Sequence, residues 1–189
     1  MTSEYQLTLP LIEHDSAPDT VKPILEEAER QVGFLPNLYK AMANVPGVLE
    51  TYLLGYDRIR ASESLTPAEQ EVVFLTISRL NGCGYCMAAH SMLAEKASDV
   101  PPDVLHAIRN NQPFDNPRLG ALSRFTTEMF ESRGRPSSAE VKAFLDAGYP
   151  EHAVLDIILA MAVKTLSNYS NHLFHTPVDE MFSGYRWDG

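Results

Sequence analysis

The sequence predicts an all-α fold, and three observations carry that expectation. Apolar residues recur at helical spacing along most of the chain, with no clear run of alternating strand pattern. Prolines fall between the periodic segments or at their first positions, as Pro46, Pro67, Pro101, Pro117 and Pro150 do. Capping chemistry frames the segments, most clearly at Thr66-Pro67-Ala68-Glu69, which joins an N-cap, a first-turn proline and a capping-box glutamate.

Taken in order, the first helix is expected from Thr20 to the stop at Gly33, and Asn37–Asn44 and Gly47–Arg60 follow on either side of Pro46. The helix opened by Thr66 should run to Asn81-Gly82, and a new one should open at Cys83 and reach Ala97. Pro101–Asn110, Pro117–Ser132, Ser137–Ala147, Pro150–Leu166 and Asn168–Phe182 complete the reading. No Gly/Ser linker divides the 189 residues, so residues 1–189 read as a single domain. A chain of this length buries about 70% of its unfolded surface and folds without disulfide or metal.

Charge and composition exclude several classes. Fifteen Lys and Arg stand against 25 Asp and Glu, a net charge of −10, which disfavours a backbone-directed hold on nucleic acid and adhesion to an anionic membrane. The N-terminus has neither the basic nor the apolar region of a signal peptide, and no uninterrupted apolar run reaches the roughly 18 residues of a membrane span. Ala153–Leu166, the most apolar stretch, contains Asp156 and Lys164 and reads as a buried helix. A cytoplasmic protein is expected. Cysteine occurs twice, at Cys83 and Cys86, which rules out a disulfide-stapled scaffold.

A shift of 85 residues sets Glu71 against Asp156, Cys83 against Asn168, Cys86 against Asn171 and His90 against His175. Apolar Val72, Val73 and Phe74 meet Ile157, Ile158 and Leu159 in the same register. The expectation is an internal pseudo-repeat of helical hairpins, one half at about 20–97 and a degenerate half at about 101–183. Asn168 and Asn171 cannot run redox chemistry, so the second set is expected to be a hydrogen-bonded echo of the first.

The segment Asn81-Gly-Cys-Gly-Tyr-Cys-Met-Ala-Ala-His90 carries the chemistry. On a helix, Cys83, Cys86 and His90 fall within roughly 60° of one another, and Cys86 and His90 are i, i+4 neighbours. Cys83 at the helix start would feel unpaired N–H groups and the dipole, which favour a thiolate. His90 can take the proton of Cys86, and Glu71, on the preceding helix, is placed to orient the imidazole. Simple packing of two buried thiols is one alternative. A zinc site is another, and His172-Leu-Phe-His175 is the one cluster able to supply a second ligand pair. Tyr85 between the thiols reads as pocket wall, Arg79 as a C-terminal helix charge, and Trp187 as either a dock on a neighbouring subunit or a frayed end.

A Glu twelve residues before C-x-x-C and a His four residues after it resembles the alkylhydroperoxidase AhpD-like, carboxymuconolactone decarboxylase superfamily. Glu71, Cys83, Cys86 and His90 match that pattern, most densely over Thr66–Lys96, and Phe34-Leu-Pro-Asn-Leu-Tyr39 resembles the longer peroxidase-related members. The resemblance implies an all-α fold with an internal helical repeat and a homo-oligomer, a trimer or hexamer. It implies Cys86 as the peroxidatic thiol attacking a small hydroperoxide and Cys83 as the resolving thiol. It further implies His90 and Glu71 as the proton relay, with no cofactor and no metal. The reductant would be a dithiol, for which the family's example is a lipoyl-bearing protein. Some AhpD proteins carry His where this chain has Tyr85, which bears on proton delivery. Beside the peroxidase reading stand general thiol–disulfide exchange, a redox or metal sensor, and a superfamily lyase or isomerase using Glu71 and His90.

Overall fold

A computed structural model describes residues 3–189. Among them the chain forms helices and no strand: α1 (Lys22–Val32), α2 (Asn37–Met42), α3 (Pro46–Arg60), α4 (Pro67–Leu80), α5 (Gly84–Lys96), α6 (Pro102–Arg109), α7 (Pro117–Glu131), α8 (Ser138–Asp146) and α9 (Ala153–Phe174). Short 3-10 turns at His14–Ser16 and Glu180–Tyr185 complete it.

The start of α4 is set as the sequence predicts. Thr66 accepts from the Glu69 amide and the Glu69 carboxylate accepts from the Thr66 amide, so the box is closed in both directions. From Glu69 to Ser78 every residue of α4 is buried, which makes it the axis of the molecule, wrapped by α5, α6, α7 and α9. Two polar residues in that run are accommodated by bonding back along the helix, Thr76 to Val72 O and Ser78 to Phe74 O, each at 2.7 Å.

The sequence-based boundaries fail in one place. Pro150–Leu166 and Asn168–Phe182, expected as two helices, are one continuous α9 that ends at His175, followed by an extended stretch and the Glu180–Tyr185 turn. Leu166-Ser167-Asn168 holds neither Gly nor Pro, and the Ser167 hydroxyl returns its bond to Val163 O at 3.2 Å, so nothing stops the helix there. The stop comes from the left-handed His175 (φ 50°, ψ 46°) and from Pro177 beyond it. Residues 156–174, set by the 85-residue shift against the α4–turn–α5 hairpin, are therefore one helix.

By length and composition α9 would suffice to cross a membrane, but one face of it packs against α2, α3, α4 and α5 as a core helix. Its approach to α3 is close. A Cβ added at Gly55 would lie 2.7 Å from Val163 Cγ2, so glycine is what lets the two helices meet. That contact holds the inner face of α9 against the C-x-x-C segment.

Candidate active site

The Asn81-Gly82 turn folds α5 back onto α4. Gly82 takes φ 66°, and the Cys83 amide donates to Ser78 O at 2.9 Å, which pins the first thiol against the end of α4. Cys83 is extended (φ −87°, ψ 94°) and serves as N-cap, so the helix opens at Gly84 rather than at Cys83 as expected. Glycine at 84 and the extended cap shift the start by one residue, and Cys86 rather than Cys83 comes to lie within the first turn. Both cysteines are free thiols and both are buried.

Glu71 is fully buried at the centre of α4. Its Oε2 lies 2.8 Å from His90 Nδ1, and its Oε1 accepts from Arg60 Nη2. Arg60 also binds Tyr56 Oη at 2.6 Å and Gln70 Oε1 at 3.1 Å, so the carboxylate is held by a cation that is itself fixed. Burial would raise the Glu71 carboxyl, but His90 and Arg60 more than reverse this and hold it below the usual range. His90 stacks on Phe74 with centroids 4.8 Å apart. Desolvation and the Lys164 charge push its pKa down against the pull of Glu71, so the ring is neutral at neutral pH. With an ionised carboxylate on Nδ1, that nitrogen carries the proton and Nε2 is left as the base.

The thiols are electrostatically unequal. For Cys86, burial acts upward, but the hydrogen bond from Cys83 and the charge of Lys164, with the adjacent His90 acting in the same direction, carry it well below the ordinary thiol value. Cys83 is pushed well up, first by that same hydrogen bond and then by burial. The thiolate-favouring position is thus Cys86.

Sequence reasoning missed the contribution of α9. Lys164, Asn168 and Asn171 lie at i, i+4 and i+7 and share one buried face, from which Asn171 reaches the dithiol. Asn171 Nδ2 lies 3.3 Å from Cys86 Sγ and 3.8 Å from Cys83 Sγ, while Asn168 Oδ1 accepts from Asn81 Nδ2 at 2.8 Å across the turn. These amides were expected to be a separate echo; they are part of the same site. Lys164, Asn168 and Asn171 at helical spacing, continuing the most apolar stretch of the chain, were the available signal.

Two cavities flank the dithiol. One, of about 320 Å³, is walled largely by aromatic rings, among them Phe34, Tyr39, Tyr52, Tyr56 and Phe182, with His90 at its inner wall. The other, also about 320 Å³, has Cys83 in its lining together with Asn171, His172, Arg186 and Trp187. Tyr85 belongs to both, as expected of a pocket wall, and its hydroxyl donates to Asp179 and accepts from the Leu38 amide, tying the Glu180–Tyr185 turn to α5.

The other singled-out residues lie apart from this chemistry. Asp156 accepts from Ser62 at 2.8 Å, and His175 bonds Ser3 O at 2.7 Å. Arg79 is half-buried and faces Glu131. Trp187 docks on its own chain, donating to Arg109 O at 2.8 Å. Among the described residues, no group of three His, Cys, Asp or Glu side chains is gathered closely enough to hold a metal ion.

Residues 46–128, which carry α3 through most of α7 and hence Glu71, both thiols and His90, match the carboxymuconolactone decarboxylase family model. That match covers the segment around the dithiol, and over the rest of the chain the likeness is one of fold. This AhpD-like fold is shared with a peroxidase-related protein from Ralstonia eutropha JMP134 with an alkylhydroperoxidase AhpD core, at TM-score 0.80 and 22% identity over 92% of this chain and 93% of that one. A peroxidase-related protein from Silicibacter sp. TM1040 gives TM-score 0.77 and 20% identity over 97% and 96% of the two chains. The debrominase Bmp8, in a cysteine-to-alanine variant bound to 2,3,4-tribromopyrrole, gives TM-score 0.76 and 20% identity over 97% of each. No curated protein sequence matches significantly. Proteins named as peroxidase-related and as a debrominase thus share one fold, and the fold alone does not choose between such chemistries.

Proposed function

We propose that this AhpD-like protein is a thiol-dependent peroxidase in which Cys86 attacks and Cys83 resolves. The observation that carries this reading is geometric: Cys86 lies in the first turn of α5 with Asn171 Nδ2 3.3 Å from its sulfur, one helical turn from a His90 oriented by Glu71, and the lowered Cys86 thiol agrees with it. The Cys86 thiolate attacks the terminal oxygen of a hydroperoxide, ROOH, forming the S–O bond of Cys86 sulfenic acid as the O–O bond breaks and alkoxide leaves; the alkoxide takes one proton, drawn from solvent, to become ROH. His90, on the wall of the aromatic cavity, is the group to pass that proton, with Glu71 stabilising the charge it bears in transit. The Cys83 thiol then attacks the sulfenic sulfur, expelling water and closing the disulfide. A dithiol reductant returns the pair to its starting state, and the cavity at Cys83 is the side it would reach.

The test is hydroperoxide consumption with a small dithiol as reductant. Cys86→Ser should abolish turnover, and Cys83→Ser should stop after one sulfenic acid per chain, trapped with a dimedone-type reagent. Unchanged turnover in Cys86→Ser would remove the reading.

A second reading, reductive dehalogenation of a small aromatic, is favoured by one specific feature. The cavity beside His90 is walled by flat rings, and Bmp8 is a debrominase seen with a brominated pyrrole. Halide release from a bromopyrrole, with no hydroperoxide turnover, would select it.

A further inference from the structure

Lys164 is 1% exposed and sits mid-way along α9, and its Nζ has no hydrogen-bond partner. Among the described residues no carboxylate lies within ion-pair distance of it. A buried ammonium without an anion is strongly unfavourable, so an anion near it is the expected arrangement.

The groups facing this region from each packed helix leave one choice. From α4 comes Glu71, whose two oxygens are already committed to Arg60 and His90. From α3 come Arg60, a cation, and the phenols Tyr52 and Tyr56, and from α2 the phenol Tyr39 packed on Tyr52, all three phenols held protonated by burial. From α5 come neutral His90, Cys83 and Cys86, and from α9 itself Asn168, Asn171 and His172. With Arg60 and Glu71 cancelling, Lys164 leaves the buried cluster one positive charge in excess. The group left to balance it is a thiolate on the inner turn of α5, where Asn171 Nδ2 already lies 3.3 Å from Cys86 Sγ.

We infer that Lys164 is the counter-ion of the Cys86 thiolate, a positioning residue that sets the ionisation of the reacting sulfur from the opposite helix. The ring of Phe74, 5.7 Å from Nζ, excludes water beneath the ammonium and leaves the attraction little screened. By stabilising the reduced, anionic state, Lys164 also makes the Cys83–Cys86 disulfide easier to reduce, because disulfide formation removes the anion the lysine faces. The inference deepens the peroxidase reading, but its test does not use turnover.

Thiolate absorbance and site-resolved iodoacetamide labelling are measured against pH for the reduced full chain and for Cys86→Ser, Lys164→Met and Lys164→Arg. One thiolate per chain is expected at neutral pH in the wild type and in Lys164→Arg, lost in Cys86→Ser. In Lys164→Met it should be lost with helical circular dichroism retained, and Cys86 labelling at neutral pH should slow about tenfold or more. In glutathione redox buffers the same variant should shift toward the disulfide by a similar factor. A Cys86 thiolate that persists in folded Lys164→Met overturns the assignment. Should that variant not fold, a wild type whose Cys86 titrates as an ordinary thiol overturns it equally. A lysine-dependent thiolate in a protein that turns over no hydroperoxide would leave the counter-ion standing and remove the peroxidase reading alone.

Discussion

His90 Nδ1 lies 2.8 Å from Glu71 Oε2, a contact between two buried side chains nineteen positions apart that fixes which imidazole nitrogen is basic. Changing Glu71 to Gln keeps the shape and removes the charge. The tautomer is then no longer imposed, and Arg60 loses its anion. We expect single-turnover disulfide formation with a hydroperoxide to slow by about 10²-fold while stopped-flow binding is little altered. A rate within a factor of two of wild type would show that the pair is structural.

Acid should destabilise the fold in two stages. The His90 pKa is lowered from 6.5, so below 6.5 the unfolded chain takes up a proton that the folded state resists, and stability falls as pH drops. Glu71 is lowered from 4.5, so its contribution is present above 4.5 and is lost as pH falls through the depressed folded value. Both act in the same direction. Thermal unfolding should show a melting temperature that declines from about pH 6.5 downward, with the upper part of the decline missing in His90→Asn.

Asn171 donates toward both sulfurs, and Asn171→Ala removes that donor without introducing a charge. A hydrogen bond to a charged group is worth about 1.5–3 kcal/mol, so the Cys86 titration midpoint should rise by about one to two pH units. Labelling of Cys86 against pH by mass spectrometry reads this directly. A midpoint unmoved by the change would mean that the amide does not act on the thiolate.

Tyr85→Phe deletes the hydroxyl that joins the Leu38 amide to Asp179 and leaves the ring in place. The expected cost is about 1–2 kcal/mol, and limited proteolysis should cut faster near the Glu180–Tyr185 turn that closes the aromatic cavity. Turnover of bulky hydroperoxides should change more than that of hydrogen peroxide, since the cavity wall moves and the dithiol does not.

The helices and the residues of the candidate site were legible because their signals are local. The Thr66–Glu69 box, the first-turn prolines and the Asn81-Gly82 stop act within a few residues, and the structure places α3 to α8 within one or two positions of the expected bounds. Cys83, Cys86 and His90 are likewise one local motif, and Glu71 lies just one tight turn away. The expected break after Leu166 failed because periodicity marks an apolar face without marking where a helix ends. The stop residues, His175 and Pro177, lay nine and eleven residues further on.

By itself, the sequence determined an all-α chain with one dithiol and a histidine and glutamate at the spacing to serve it. Tertiary structure decided what surrounds that dithiol. It carried Lys164 and Asn171 across some eighty residues of chain to the sulfurs, because Gly55 lets α9 pack closely enough on α3 to hold that face inward. Tertiary packing also separated the two thiols in proton affinity, a difference that depends on burial and on charges from other helices. Spacing along one helix cannot specify those distances; packing of the helices does.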